Sequence, residues 1–131
     1  MKNMFPPLGL MAMIFILSSI PGRPDAGGVK FLVEIDPQLQ NLLHIPLFGT
    51  LQILWLHAFK KYGLSNRKII PIGLFITLAY GCLDELHQMF VPGRYASLTD
   101  ILLNLTGIMI GTLIFIVWKN KKKNQAVDKC S

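Results

Sequence analysis

The sequence predicts an all-α integral membrane protein with four transmembrane helices and both termini in the cytoplasm. Three observations predict it. First, the 131 residues are 52% hydrophobic and only 15% charged, with a mean hydropathy of +0.48. A soluble domain usually carries about 25% charge. Second, four mostly apolar stretches approach the ~20 residues that a bilayer core of about 30 Å requires. Third, Lys and Arg cluster at the ends of those stretches, mostly on one side. An ordinary soluble domain and a disordered chain are both excluded. The length suits one domain, 1–131. Cys82 and Cys130 are far apart and match no metal or redox spacing, so a disulfide framework is excluded too.

The first helix is expected at about 5–20, because Asn3 to Gly22 carries no charge. This stretch also has the outline of a signal peptide, with Lys2 ahead of an apolar run from Leu8 to Leu17. Ser18-Ser19-Ile20-Pro21 is a poor cleavage site, however, so the stretch is read as a helix of the protein. The second helix, 42–59, lies in a segment free of Asp, Glu, Lys and Arg from Pro37 to Phe59. The third is decided by length. Ile69 to Leu83 has only 15 residues and is too short to span. A helix continued to Val91 has 23 and stops naturally at Pro92-Gly93. The fourth, 98–118, starts at Ser97-Leu98-Thr99-Asp100, which fits a capping box, and ends at Lys119. The connection from Pro21 to Gln40 reads as an irregular outer loop.

Four spans place ten Lys and Arg residues on the side of the termini and three on the other. The positive-inside rule then puts both ends in the cytoplasm of a multi-pass cell-membrane protein. The +6 net charge thus serves topology. No basic face with base-stacking groups exists, and a nucleic-acid partner is not expected.

Continuing the third helix to Val91 carries Asp84, Glu85, His87 and Gln88 into the membrane's outer half. Ionisable groups at such depth are costly and usually mark a site. At 3.6 residues per turn, Gly81, Asp84, Glu85 and Gln88 share an arc of about 100°, and His87 lies outside it. Asp100, Asn104, Gly107 and Gly111 form one stripe on the fourth helix. Gly107 and Gly111 make a small-xxx-small contact. A short turn with Arg94 joins the two helices, so their stripes can meet. His44 sits early in the second helix. Asp100 has an alternative role as a helix cap, Arg94 as an interfacial anchor, and Asn104 as an interhelical hydrogen-bonder. His44 has one as a core histidine, and Asp84 and His87 as groups reaching the headgroups. Glu85 and Gln88 have the weakest alternatives. His57 reads as an interface residue, Gln52 as a packing hydrogen-bonder, and Trp55, Trp118 and Tyr62 as inner belt aromatics. Asp84 and His87 at i, i+3 offer two metal ligands. A catalytic zinc usually needs three, so no metal or other cofactor is expected.

The run Gly81-x3-Glu85-x2-Gln88-x-Phe90-x3-Arg94-x5-Asp100-x3-Asn104-x2-Gly107-x3-Gly111 resembles the signature of the VanZ-like membrane family. Asp84, Ser18-Ser19 before Pro21, and His44 also fit that pattern. The family's Asp-Lys pair before the histidine is Gln40-Asn41 here, and its aromatic hydroxyl is Phe48. The resemblance implies a small multi-pass membrane protein, linked in the name-giving member to low-level teicoplanin resistance. It carries over Asp84, Glu85, Gln88, Arg94, Asp100, Asn104 and His44 as motif positions.

Three functions are consistent with these residues. The first is an outer-leaflet site for an envelope lipid headgroup, a glycan or a glycopeptide antibiotic. Arg94 would hold phosphate or carboxylate, and Glu85, Asp100, Gln88 and Asn104 would bond sugar or amide groups. The second is an intramembrane enzyme on a lipid-linked intermediate, with Glu85 as general acid or base and His44 as its partner. The third is a structural membrane subunit with an internal polar lock. The expected partner is membrane lipid, and Gly107/Gly111 offers a face for a homo-oligomer.

Overall fold

The computed structural model describes residues 4–22 and 41–128. Among them the chain is all-α, with four helices and no strand: α1 Phe5–Ser18, α2 His44–Lys61, α3 Asn66–Gln88 and α4 Leu98–Asp128. The loop expected at 21–40 falls mostly outside the described residues, as do Lys2, Lys30 and Lys129.

Each helix boundary has a local cause. Pro6 and Pro7 sit in the first turn of α1, where the missing N–H removes no helical bond. The α1 helix stops at Ser18, two residues short of the expected 20. It tightens there, with the Ile20 N–H donating to Leu17 O at 3.3 Å. The α2 helix runs 44–61 instead of 42–59. Pro46 is again in the first turn, and the end is a Schellman motif. The Leu64 N–H donates to Phe59 O (3.4 Å) and the Gly63 N–H to Lys60 O (3.0 Å). Gly63 takes φ +78°, a left-handed conformation suited to glycine.

The α3 helix starts at Asn66 rather than 69 and runs through Asp84, Glu85, His87 and Gln88. It ends at Gln88 and not at Val91. Phe90 and Val91 turn more tightly, donating to His87 O (2.9 Å) and Gln88 O (3.1 Å). Val91-Pro92-Gly93-Arg94 then forms a type II turn, with Gly93 at φ +79° and the Arg94 N–H on Val91 O at 3.0 Å. The α4 helix continues past 118 to Asp128, because Lys119-Asn120-Lys121-Lys122-Lys123 contains no helix breaker.

At 1.5 Å per residue, α1 is about 21 Å long and α2 about 27 Å. Arg67–Gln88 and Leu98–Lys122 have 22 and 25 residues and are long and apolar enough to cross a membrane. The α2 helix forms the centre, packing along α4 and against α1 and α3. Its Phe48, Leu51, Leu56 and Phe59 meet Ile14, Ile69, Ile108 and Phe115 in the core. Trp55, expected in an aromatic belt, is buried against Phe59. Trp118 is the exposed ring, with Lys122 Nζ 4.0 Å above it.

Glycines set the closeness of α2 to α4. A Cβ on Gly107 would strike the Ile45 carbonyl, and one on Gly111 the Gly49 carbonyl. The small-xxx-small stripe is therefore used inside the chain and is not a free face for a second copy. In mid-bundle, Gln52 links three helices. The Thr77 hydroxyl donates to its Oε1 (2.8 Å), and its Nε2 donates to Thr112 Oγ1 (3.0 Å).

The surface reverses the soluble pattern. Phe75, Phe90 and Leu98 are 75%, 78% and 80% exposed, while Gln52, Asp84, Glu85 and Asn104 are buried. Apolar side chains cover the outside of α3 and α4, far beyond the scattered apolar residues of a soluble monomer.

Candidate functional site

The C-terminal ends of α1 and α3 and the N-terminal ends of α2 and α4 meet at one end of the bundle. Asp84, Glu85 and Gln88 point inward from α3 because of their shared arc, and all three are buried. Asp84 accepts the Ser18 hydroxyl at Oδ1 (2.6 Å) and the Gln88 amide at Oδ2 (3.1 Å). Ser18 comes from α1, 66 positions away. The His87 ring also meets α1, 4.5 Å from Phe15, with Nε2 2.9 Å from Ser19 Oγ. His87 therefore packs on α1 beside the Ser18–Asp84 contact.

Glu85 performs a capping role that the sequence assigned to Asp100. Ser97 begins α4, and its Oγ accepts the Thr99 N–H at 3.1 Å. Its own N–H donates to Glu85 Oε2 (3.1 Å), so the reciprocal half of the capping box comes from α3. Asp100 is left buried with Oδ1 unpartnered. Glu85 Oε1 and Asn104 Nδ2 are likewise buried without partners. His44 of α2 reaches the same place, with Nδ1 2.9 Å from Asn104 Oδ1. Gly81 makes room for this pair: a Cβ there would lie 3.1 Å from Asn104 Nδ2 and 3.2 Å from Phe48 Cε1.

Arg94 lies in the turn between α3 and α4, half-buried. Its Nε donates to Ile20 O (3.1 Å) and its Nη2 to Leu17 O (3.5 Å), so it caps the end of α1. Burial pushes the guanidinium below its ordinary range, and Asp84, Glu85 and Asp100 pull it back up. It remains a cation, with N–H groups to spare. The Gly22 N–H donates to Pro92 O (3.0 Å) and closes α1 onto the same turn.

A cavity of about 110 Å³ opens at this end. Ser18, His44, Asp84, Gln88 and Arg94 supply its polar wall, and Ile14, Leu17, Leu43, Leu47 and Phe48 its apolar wall. Glu85, Asp100 and Asn104 lie behind the polar wall, with His44 linking the two layers. The seven expected site residues are thus brought to one end of the bundle, in two layers.

A family model described as VanZ/LLP1 matches residues 4–119. The chain belongs to the VanZ/LLP1 family. No curated protein and no solved structure matches it. The match covers all four helices, so the VanZ/LLP1 unit here includes α1 as well as the α3–α4 hairpin. Sequence reasoning placed Ser18 at the end of the first helix but did not assign it to the site. A hydroxyl in an uncharged apolar run was the available signal. Asp84 and His87, the two ligands that the sequence offered, each meet a serine at the end of α1. One ring nitrogen of His44 and one carboxylate oxygen each of Asp84 and Glu85 lie within 4.8 Å of one another.

Proposed function

We propose that this VanZ/LLP1 protein crosses the cell membrane four times, with both termini in the cytoplasm, and uses the cavity to hold an envelope lipid headgroup at the outer leaflet. The observation that carries this reading is the two-sided wall of the cavity. Arg94 and Gln88 offer donors on one side, while Leu17, Leu43 and Leu47 offer a path for an acyl or prenyl chain on the other. Volume favours a small group. Drug-sized molecules occupy pockets of about 300–1,000 Å³. The 110 Å³ here suits one phosphate-sized group and not a glycopeptide or an oligosaccharide. Any effect on teicoplanin resistance would then pass through the lipid and not through capture of the antibiotic.

Arg94 supports a phosphate because its planar fork has donors beyond the two already used. Gln88 would position a neighbouring oxygen with its second amide N–H. The test is binding of a fluorescent polyprenyl phosphate to the purified protein in nanodiscs, against phosphatidylglycerol as competitor. Loss of a charge-assisted contact is worth about 1.5–3 kcal/mol, so Arg94→Ala should weaken binding at least ~10-fold while the helices remain intact. Equal binding by the variant refutes the reading.

A second reading has its own support. Glu85 Oε1 is buried and unpartnered, and a carboxylate oxygen of Glu85 lies within 4.8 Å of a His44 ring nitrogen, which suits an acid–base pair for an intramembrane enzyme. Turnover of a labelled lipid-linked sugar by the pure protein, lost in Glu85→Gln, would favour it.

A further inference from the structure

We propose that His44, Asp84 and Glu85 together hold a divalent cation. Their three ligand atoms lie within 4.8 Å of one another. An ion centred in a triangle of that edge sits about 2.8 Å from each atom. An inward move of about 0.7 Å by each ligand reaches the 2.0–2.2 Å of zinc–imidazole and zinc–carboxylate bonds. The three ligands come from two helices, α2 and α3, so the folded bundle assembles the site.

Independent observations point to an ion. Glu85 is 2% exposed, and its Oε2 accepts the Ser97 N–H while Oε1 has no partner. A cation would fill that position. His44 Nδ1 donates to Asn104 Oδ1, which leaves the lone pair on Nε2. Metal-binding histidines are held in this manner, with the other ring N–H on an oxygen acceptor. Asp84 is oriented by Ser18 and Gln88. Charge is compatible with an ion. Asp84, Glu85 and Asp100 are buried around a single cation, Arg94, so the acids outnumber the bases there. A divalent cation would balance the carboxylates that ligate it and make the cavity hospitable to a phosphate.

One imidazole with two carboxylates suits Zn²⁺ or Mn²⁺ better than Mg²⁺ or Ca²⁺, which favour oxygen ligands. Three protein ligands leave a coordination position open. His44 and Asp84 also line the cavity, and the open position would receive a headgroup oxygen. That last point rests on the lipid-binding reading; the ion site does not.

The test uses the full chain in detergent, without lipid, stripped with a chelator and titrated with Zn²⁺ and with Mn²⁺. About one ion per chain is expected. Loss of an outer partner typically costs 10–100-fold in metal affinity, so His44→Gln and Glu85→Gln should lose about 100-fold or more. Thr106→Ala, on the exposed face of α4, should bind as the wild type does. X-ray absorption on the zinc-loaded wild type should show one nitrogen and two carboxylate ligands, and it needs no variant to fold. Absence of stoichiometric binding overturns the proposal. So does undiminished binding by both variants, or a coordination shell containing sulfur. A protein that binds the lipid probe but no ion sinks this proposal and leaves the lipid reading standing.

Discussion

The bond between Ser18 and Asp84 ties α1 to the polar cluster, and its strength can be measured. At 2.6 Å it is a short O–H···O⁻ contact of the charge-assisted kind. Ser18 Oγ also lies 3.2 Å from Phe15 O. A hydroxyl has one hydrogen, and the nearer carboxylate takes it. When Asp84 is replaced, the hydroxyl returns to Phe15 O and is not orphaned. The loss therefore falls on the pair itself. Interhelical hydrogen bonds in membrane proteins average about 0.6 kcal/mol and reach about 1.7. Bonds to charged groups run about 1.5–3 kcal/mol in general. A coupling energy of about 1.5 kcal/mol satisfies both ranges. The assay is a double-mutant cycle of Ser18→Ala and Asp84→Ala, with equilibrium unfolding followed in detergent by circular dichroism. Independent sites add to within about 0.3–0.5 kcal/mol. A coupling below that level would show that α1 is merely packed beside the cluster.

Two other tests address packing and orientation. Gly111→Ala sets a methyl group against the Gly49 carbonyl and Gly107→Ala one against Ile45, so each should destabilise the bundle by about 1–3 kcal/mol in the same unfolding assay. A variant as stable as wild type would mean that α2 and α4 do not approach so closely. In a Cys82→Ala, Cys130→Ala background, Arg94→Cys should react with an impermeant maleimide added outside cells and Glu85→Cys should resist it. Labelling of position 94 from the cytosol alone would invert the proposed topology.

Much of the helical framework was legible in the sequence, and boundaries moved where local turn chemistry intervened. The inward arc of Asp84, Glu85 and Gln88 was readable because helical periodicity fixes which residues share a face. The turn at Pro92-Gly93 was readable because only glycine accepts the positive φ there without strain. The roles of Trp55 and Asp100 were not. A tryptophan near a helix end serves a belt or a core equally well by composition, and burial against Phe59 chose the core. Asp100 had the right spacing for a capping box, but Glu85 arrived from another helix and took the Ser97 N–H.

By itself the sequence determined that the chain is helical, that its helices carry apolar exteriors, and that acids and amides form stripes on two of them. Those properties depend on residues within a few positions of one another. The tertiary structure alone decided that Ser18 binds Asp84, that Gly107 and Gly111 seat α4 on α2, and that His44 joins Asp84 and Glu85. These pairings join residues about 40 to 66 positions apart. They depend on how each helix is rotated and slid against its neighbours, which periodicity within one helix does not encode.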